Sequence, residues 1–325
     1  MRRVRALALA LALLATGPAV ARDTRAGAAL RFATRDEARA ALVEDDDWLR
    51  ATGQLQRDAT VGSAGPVTLE QFKGALARAG RDCGPDDIAR WSSAFGELAG
   101  RGEVLLRLLP PVTVVCTDGS DSAGAPYTRG RAIFFPRGIR PSSVSDVELL
   151  AHELFHIASR RHPDLASRLY ALLQFEPAGE LAWPTDWAAN RIANPDAPHH
   201  RHAMRVDDPG GVFSVMPVLV ASRPVRGHET FFDVLQVRLL AVRAGPPGGT
   251  SQPLRDAGGA LVWFPAERTA DYLRKLGGNT AYVFHPEETM ADNVAFLVSG
   301  RPVRNPALLE RIRAVLAAAS SQPER

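Results

Sequence analysis

From about Thr34 to Leu108, apolar residues recur at three- and four-residue spacing, broken at Gly62-Ser63-Ala64-Gly65-Pro66 and at Gly84-Pro85. That period is the signature of amphipathic helices separated by breakers, and it predicts a mainly helical N-terminal layer over residues 22–110. The period then changes. Pro111 to Thr117 and Arg131 to Pro136 are short β-branched and aromatic runs on either side of a Gly/Ser/Asp-rich loop, which predicts a hairpin or two neighbouring antiparallel strands. Ser142 to Phe175 returns to helical spacing, with a break near His162-Pro163. Its first helix has a start signal, Ser145-Asp146-Val147-Glu148, whose hydroxyl and carboxylate suit the unpaired amides of an opening turn.

Residues 176–210 are rich in Pro, Trp, Asn, Asp and His and predict a long surface excursion lining a cleft. Strand-like runs follow at Val212–Ala221 and Ala260–Phe264, while Val234–Val242 suits either strand or helix. Residues 287–299 and 306–319 have the pattern of closing helices. The expected class is α+β, a small mixed sheet beside a helix that carries the chemistry.

The first residues change the charge picture. Met1 to Arg5 are basic, Ala6 to Ala15 are apolar, and Ala19-Val20-Ala21 offers small residues where a signal peptidase cuts. Residues 1–21 are therefore expected to be a signal peptide cleaved after Ala21, and the protein to be exported, periplasmic or secreted. An apolar run of about ten residues is too short to span a bilayer, and no later segment reaches that length, so no transmembrane segment is expected after cleavage. The chain of 325 residues has 39 Lys+Arg and 36 Asp+Glu; without Arg2, Arg3 and Arg5 the basic count falls to 36 and the charges balance. A polybasic nucleic-acid binder is excluded as the first reading. The two cysteines, Cys83 and Cys116, suit a disulfide in an oxidising compartment.

The chemistry lies in His152-Glu153-Leu154-Phe155-His156. On a helix, residues four apart stand on one face, so both imidazoles can reach one cation while Glu153 stands beside them as a base. Zinc is the natural occupant, and a catalytic zinc site takes a third protein ligand from elsewhere. Three sources compete. The preferred one is Glu288, in His285-Pro286-Glu287-Glu288-Thr289-Met290-Ala291-Asp292-Asn293, with Asp292 four residues on to fix the tautomer of a ligating histidine. The second is His162, since His152 to His162 has the form HExxHxxSxxH. The third is the cluster of His199, His200 and His202 in a Pro/Asp-rich loop.

HExxH followed by a downstream ExxxD resembles the gluzincin branch of the zincin metallopeptidases. The stretches His152 to Pro163 and Tyr282 to Val294 are also similar to uncharacterised bacterial HExxH proteins of metallopeptidase type. The resemblance covers the two motifs and the Tyr127–Phe135 region, and it implies a zincin-like metallopeptidase domain over residues 111–325. It further implies metal ligands His152, His156 and Glu288, Glu153 as general base, and Tyr282 as oxyanion donor with His285 as second candidate. A peptide or protein substrate follows, whose extended backbone is expected to lie along Arg131–Pro136 as an edge strand. The His162 form is one residue from the metzincin pattern, but Ser159 stands where that family has the glycine of a sharp turn. No Gly-rich phosphate loop, paired-Asp metal cluster or nucleophile elbow occurs, which disfavours phosphoryl transfer and serine-type acyl transfer. A non-catalytic exported zinc-binding or cell-envelope interaction protein is the reading from a different class.

Overall fold

The computed structural model describes residues 20–22, 28–63, 65–139 and 144–320. The leader expected at residues 1–21 lies outside the described residues except for Val20 and Ala21. The architecture is α+β: two sheets and a set of helices, with the HExxH helix beside the first sheet.

That sheet is mixed. Its strands run in the order β1 (Val20–Arg22), β2 (Ala29–Phe32), β4 (Val112–Thr117), β6 (Ala132–Pro136) and β5 (Tyr127–Arg129), and β3 (Gly80–Arg81) pairs with the far end of β4. β2, β4 and β6 are parallel, whereas β5 runs antiparallel at the edge. Side chains alternate between two cores, as the period of a strand requires. Val114, Cys116, Ile133 and Phe135 face one core; Val115, Phe134 and Tyr127 face the other.

The chain between β2 and β4 supplies the helical layer as α1 (Arg35–Leu42), α2 (Asp47–Ala51), α3 (Gln54–Val61), α4 (Leu69–Ala79), α5 (Pro85–Arg101) and α6 (Glu103–Leu106). The layer splits over both faces of the sheet. Leu42, Trp48, Phe72 and Leu76 cover the Tyr127–Phe134 face, and Trp91 of α5 stacks on Phe135 across the other, ring centroids 3.8 Å apart. Cys83 and Cys116 form a disulfide that ties the start of α5 to β4, as their number and expected compartment suggested.

Two expectations about the strands are corrected. β4 and β6 are parallel neighbours, not a hairpin, because the intervening loop carries β5; the hairpin is β5–β6, turning at Gly130 with φ +55°. For the same reason Arg131–Pro136 is an interior strand, and the edge belongs to Tyr127–Arg129.

α7 (Asp146–Arg161) carries the HExxH motif, and Pro163 ends it by opening α8 (Pro163–Ala171). The Ser145 hydroxyl accepts from the Glu148 amide, as the start signal predicts. The Glu148 carboxylate does not close the cap; it pairs with Arg301 at 2.7 Å. The second sheet runs β7 (Phe175–Pro177), β9 (His202–Asp208), β10 (Gly211–Ala221), β11 (Leu235–Arg243), β12 (Thr250–Pro253) and β8 (Glu180–Leu181), with β13 (Trp263–Pro265) also on β11. Val234–Val242 is thereby settled as strand. After α9 (Ala270–Lys275), α10 (Pro286–Ser299) packs along α7 and α11 (Pro306–Ser320) closes the core. No helix among the described residues is long and apolar enough to cross a membrane.

Candidate metal centre

The flanks of the motif decide how α7 sits. Leu150, Ala151, Leu154, Ile157 and Ala158 are buried in the main core with Met290, Ala291, Val294 and Ala295 of α10. Small alanines on both helices favour close approach, and the histidine face of α7 meets the first turns of α10. His152 and His156 stand one turn apart with ring centroids 4.8 Å from each other at 80°.

Each ring is held from behind by its own carboxylate. His152 Nδ1 lies 2.9 Å from Asp292 Oδ1, and His156 Nδ1 lies 2.7 Å from Glu287 Oε1. With Nδ1 engaged by those carboxylates, Nε2 is the nitrogen each ring turns to the other side. Both face Glu288 Oε2, at 3.3 Å from His152 and 3.8 Å from His156. His156 Nε2 is buried without a hydrogen-bond partner, an arrangement that costs free energy unless something occupies the space before it.

Those observations test the fit of a metal. A tetrahedral zinc with bonds of about 2.0–2.1 Å sets its ligand atoms about 3.3 Å apart, close to the 3.3 and 3.8 Å between Glu288 Oε2 and the two Nε2 atoms. The ligand atoms of His152, His156 and Glu288 all lie within 4.8 Å of one another. The donor set of two imidazoles and one carboxylate is also that of a three-ligand zinc site.

Electrostatics follow from the enclosure. Burial pushes the Glu288 carboxyl up, but His156 and His152 beside it outweigh that and hold it at about 2. Burial likewise disfavours the charged form of His152, yet Asp292 and Glu288 keep its pKa well above the ordinary value. Glu153 is different: burial dominates and raises its carboxyl to about 7, only partly offset by His152 and by a hydrogen bond from Thr128 Oγ1 at 2.7 Å. A buried carboxyl near neutrality beside two imidazoles has the properties of a general base.

The sequence-predicted residues separate cleanly. His152, Glu153, His156, Glu288 and Asp292 come together. Tyr282 lines the same cavity with its ring 6.0 Å from His152, half-exposed at the rim. His285 does not join: it caps α10, its Nδ1 accepting from the Glu287 amide and its Nε2 donating to the His199 carbonyl at 3.1 Å. His162 ends α7 and points away, 3.0 Å from the Leu108 carbonyl. His199 sits between Glu180 and Asp47, and His202 bonds Ser167, so neither supplies a ligand; His200 packs between Trp183 and His285.

Four partners escape the motif reading. Glu287 is one, and Ser159 and Tyr170 both donate to it, fixing the carboxylate that holds His156. Asn194 donates to Glu288 Oε1 at 2.5 Å, leaving Oε2 for the histidines. Thr128 places Glu153. Asp196 accepts from the Thr128 amide at 2.5 Å and lies with Glu153 and His156 in a second group of closely spaced ligand atoms. The doubled acid Glu287-Glu288 was a readable signal, since consecutive residues at a helix start point about 100° apart; Asn194 and Asp196 sit in the excursion that was expected to line a cleft.

A family model described as the eCIS core domain matches residues 120–164. The match spans β5, β6 and α7 through the HExxH motif, and stops short of α10 with Glu288. No curated protein and no solved structure matches the chain.

Proposed function

We propose that this protein is an exported zinc-dependent peptidase of zincin type, in which His152, His156 and Glu288 hold the metal and Glu153 is the general base. One observation carries the reading: both Nε2 atoms converge on Glu288 Oε2 while both Nδ1 atoms are held by carboxylates, so three potential ligand atoms meet at one place beside Glu153. Zinc bound there supplies Lewis-acid polarisation of a carbonyl and lowers the pKa of water.

The chain's own residues supply the rest. Thr128 fixes one oxygen of Glu153, so the other is directed to the attacking water, whose proton it takes. The same carboxyl, now protonated, gives that proton to the leaving amine, and Glu153 returns to its starting state. Tyr282 at the rim is the candidate donor to the developing oxyanion. Asp292 and Glu287 orient the two imidazoles, and Asn194 orients Glu288. The disulfide supports export, since such bonds persist in oxidising compartments.

The test has two arms. Zinc stoichiometry of one per chain, lost with Glu288→Ala, supports the ligand set; peptide hydrolysis abolished by Glu153→Gln with zinc retained supports the catalytic role. Zinc retained by the wild type with no hydrolysis across a peptide library favours the non-catalytic zinc-binding alternative.

A further inference from the structure

A peptide bound as an added strand needs free backbone groups on a sheet edge. Here the edge strand is β5, and its central residue is already engaged on its outer side. The Thr128 amide donates to Asp196 Oδ1, and the Thr128 carbonyl accepts from Arg160 at 3.3 Å. Arg160 also donates to the carbonyls of Gly130 and Asp196, closing the end of the strand.

The segment that blocks the edge is pinned along its length. Ile192 N–H donates to the Leu219 carbonyl at 3.1 Å. Ala193 makes a two-way pair with the Gln56 amide group, and its carbonyl also accepts from Trp48 Nε1. Asn194 bonds Glu288, and Asp196 bonds Thr128. Residues 192–196 are thus tied to the N-terminal layer, the second sheet and the candidate ligand in turn, and the Asp196 carboxylate takes the β5 amide that an added strand would need.

What remains open is a cavity of about 620 Å³ that reaches His152, Glu153 and Glu288. That volume suits a small ligand better than a long extended chain. Its outer wall is apolar: Ile192, Leu219, Phe231, Phe232, Tyr282 and Phe284. Among the described residues, the exposed large hydrophobics are Leu69, Val212, Phe232 and Tyr282, and two of these four rim this one cavity. Its floor is polar, with His152, Glu153, Asp196, Glu288 and Asp292 lining it, so the apolar wall is the part of the cavity left for an apolar side chain.

We propose that the cavity takes a compact substrate, a short peptide whose bulky apolar side chain, aromatic by preference, sits among Phe231, Phe232 and Phe284, and not a polypeptide strand extended along β5. This rests on the peptidase reading of the site for the bond cleaved, but the seat itself is a binding property. In the zinc-loaded protein, the specificity constant is expected to stop rising once a peptide extends one or two residues beyond the cleaved bond. Phe is expected to exceed Asp beside that bond by at least tenfold, and Phe232→Ala, a change at a half-exposed rim position, to remove most of that preference.

The decisive set is quenched peptides of increasing length on the wild type, with equilibrium binding of N-acetyl-phenylalanine amide and N-acetyl-aspartate amide to Glu153→Gln. Hydrolysis that grows steadily with length in the wild type, or that shows no apolar preference, overturns the inference while leaving a peptidase. Absence of hydrolysis together with selective binding of the phenylalanine amide, weakened by Phe232→Ala, overturns the peptidase and keeps the seat. Neither hydrolysis nor selective binding overturns both.

Discussion

Glu287 Oε1 stands 2.7 Å from His156 Nδ1, on the opposite side of the ring from Glu288. Two consecutive acids at the start of α10 therefore flank one imidazole from back and front, the first engaging Nδ1 and the second facing Nε2. Carboxylates behind ligating histidines raise ligand basicity and fix orientation. Glu287→Gln is expected to weaken zinc binding by about 10- to 100-fold, less than Glu288→Ala, as measured by competition with a chelating dye. Equal affinity for zinc in Glu287→Gln and wild type would remove this role.

The pH dependence of the chelated protein should expose Glu153. Its folded pKa of about 7 lies above the ordinary 4.5, so the folded state keeps a proton that the unfolded chain releases. The stabilisation is fully present below the unfolded value and is lost as pH rises through 7. Without metal, Glu153→Gln should therefore equal the wild type near pH 4 and become more stable towards pH 8, by about 2–3 kcal/mol. Denaturant melts at the two pH values check this; a gap that narrows with rising pH has the wrong sign.

Thr128 offers a test of the proposed base's orientation without touching the proposed ligands. Thr128→Val removes the hydroxyl at nearly constant volume and leaves Glu153 Oε2 without its donor. The expected result is a fall of about tenfold or more in kcat with zinc affinity unchanged, as a hydrogen bond to a charged group is worth roughly 1.5–3 kcal/mol. Steady-state kinetics beside a zinc titration separates the two effects.

Much of this arrangement was legible in the chain, for identifiable reasons. HExxH and ExxxD are local patterns on helices, so spacing alone places His152 above His156 and Glu288 before Asp292. The parallel pairing of β4 with β6 was not legible, because nothing in either run states which neighbour it takes; the insertion of β5 decided it. Asn194 and Asp196 reach the site through the path of an irregular segment, and periodicity carries no information about such a path. In the sequence, Ser159 reads only as a misfit to another family's glycine. Its hydroxyl in fact holds Glu287, a role visible only once α10 is packed against α7.

The Cys83–Cys116 bond closes a loop of 33 residues in sequence separation, and it joins the mouth of α5 to the interior strand β4. By the entropy of the closed loop, replacing both cysteines with serine is expected to lower stability by about 3–4 kcal/mol. Thermal melts of the double variant check this, and an unchanged midpoint would mean the crosslink is dispensable.

Strand β2 lies hydrogen-bonded against β4, with its residues drawn from well before the motif. A fragment beginning at Pro111 would expose one side of β4 to solvent and strip Trp48 and Gln56 from behind Ala193. Loss of residues 29–110 would therefore strip partners from β2's side of β4 and from both faces of the sheet beside which α7 lies, so the early segment and the motif helix share one framework.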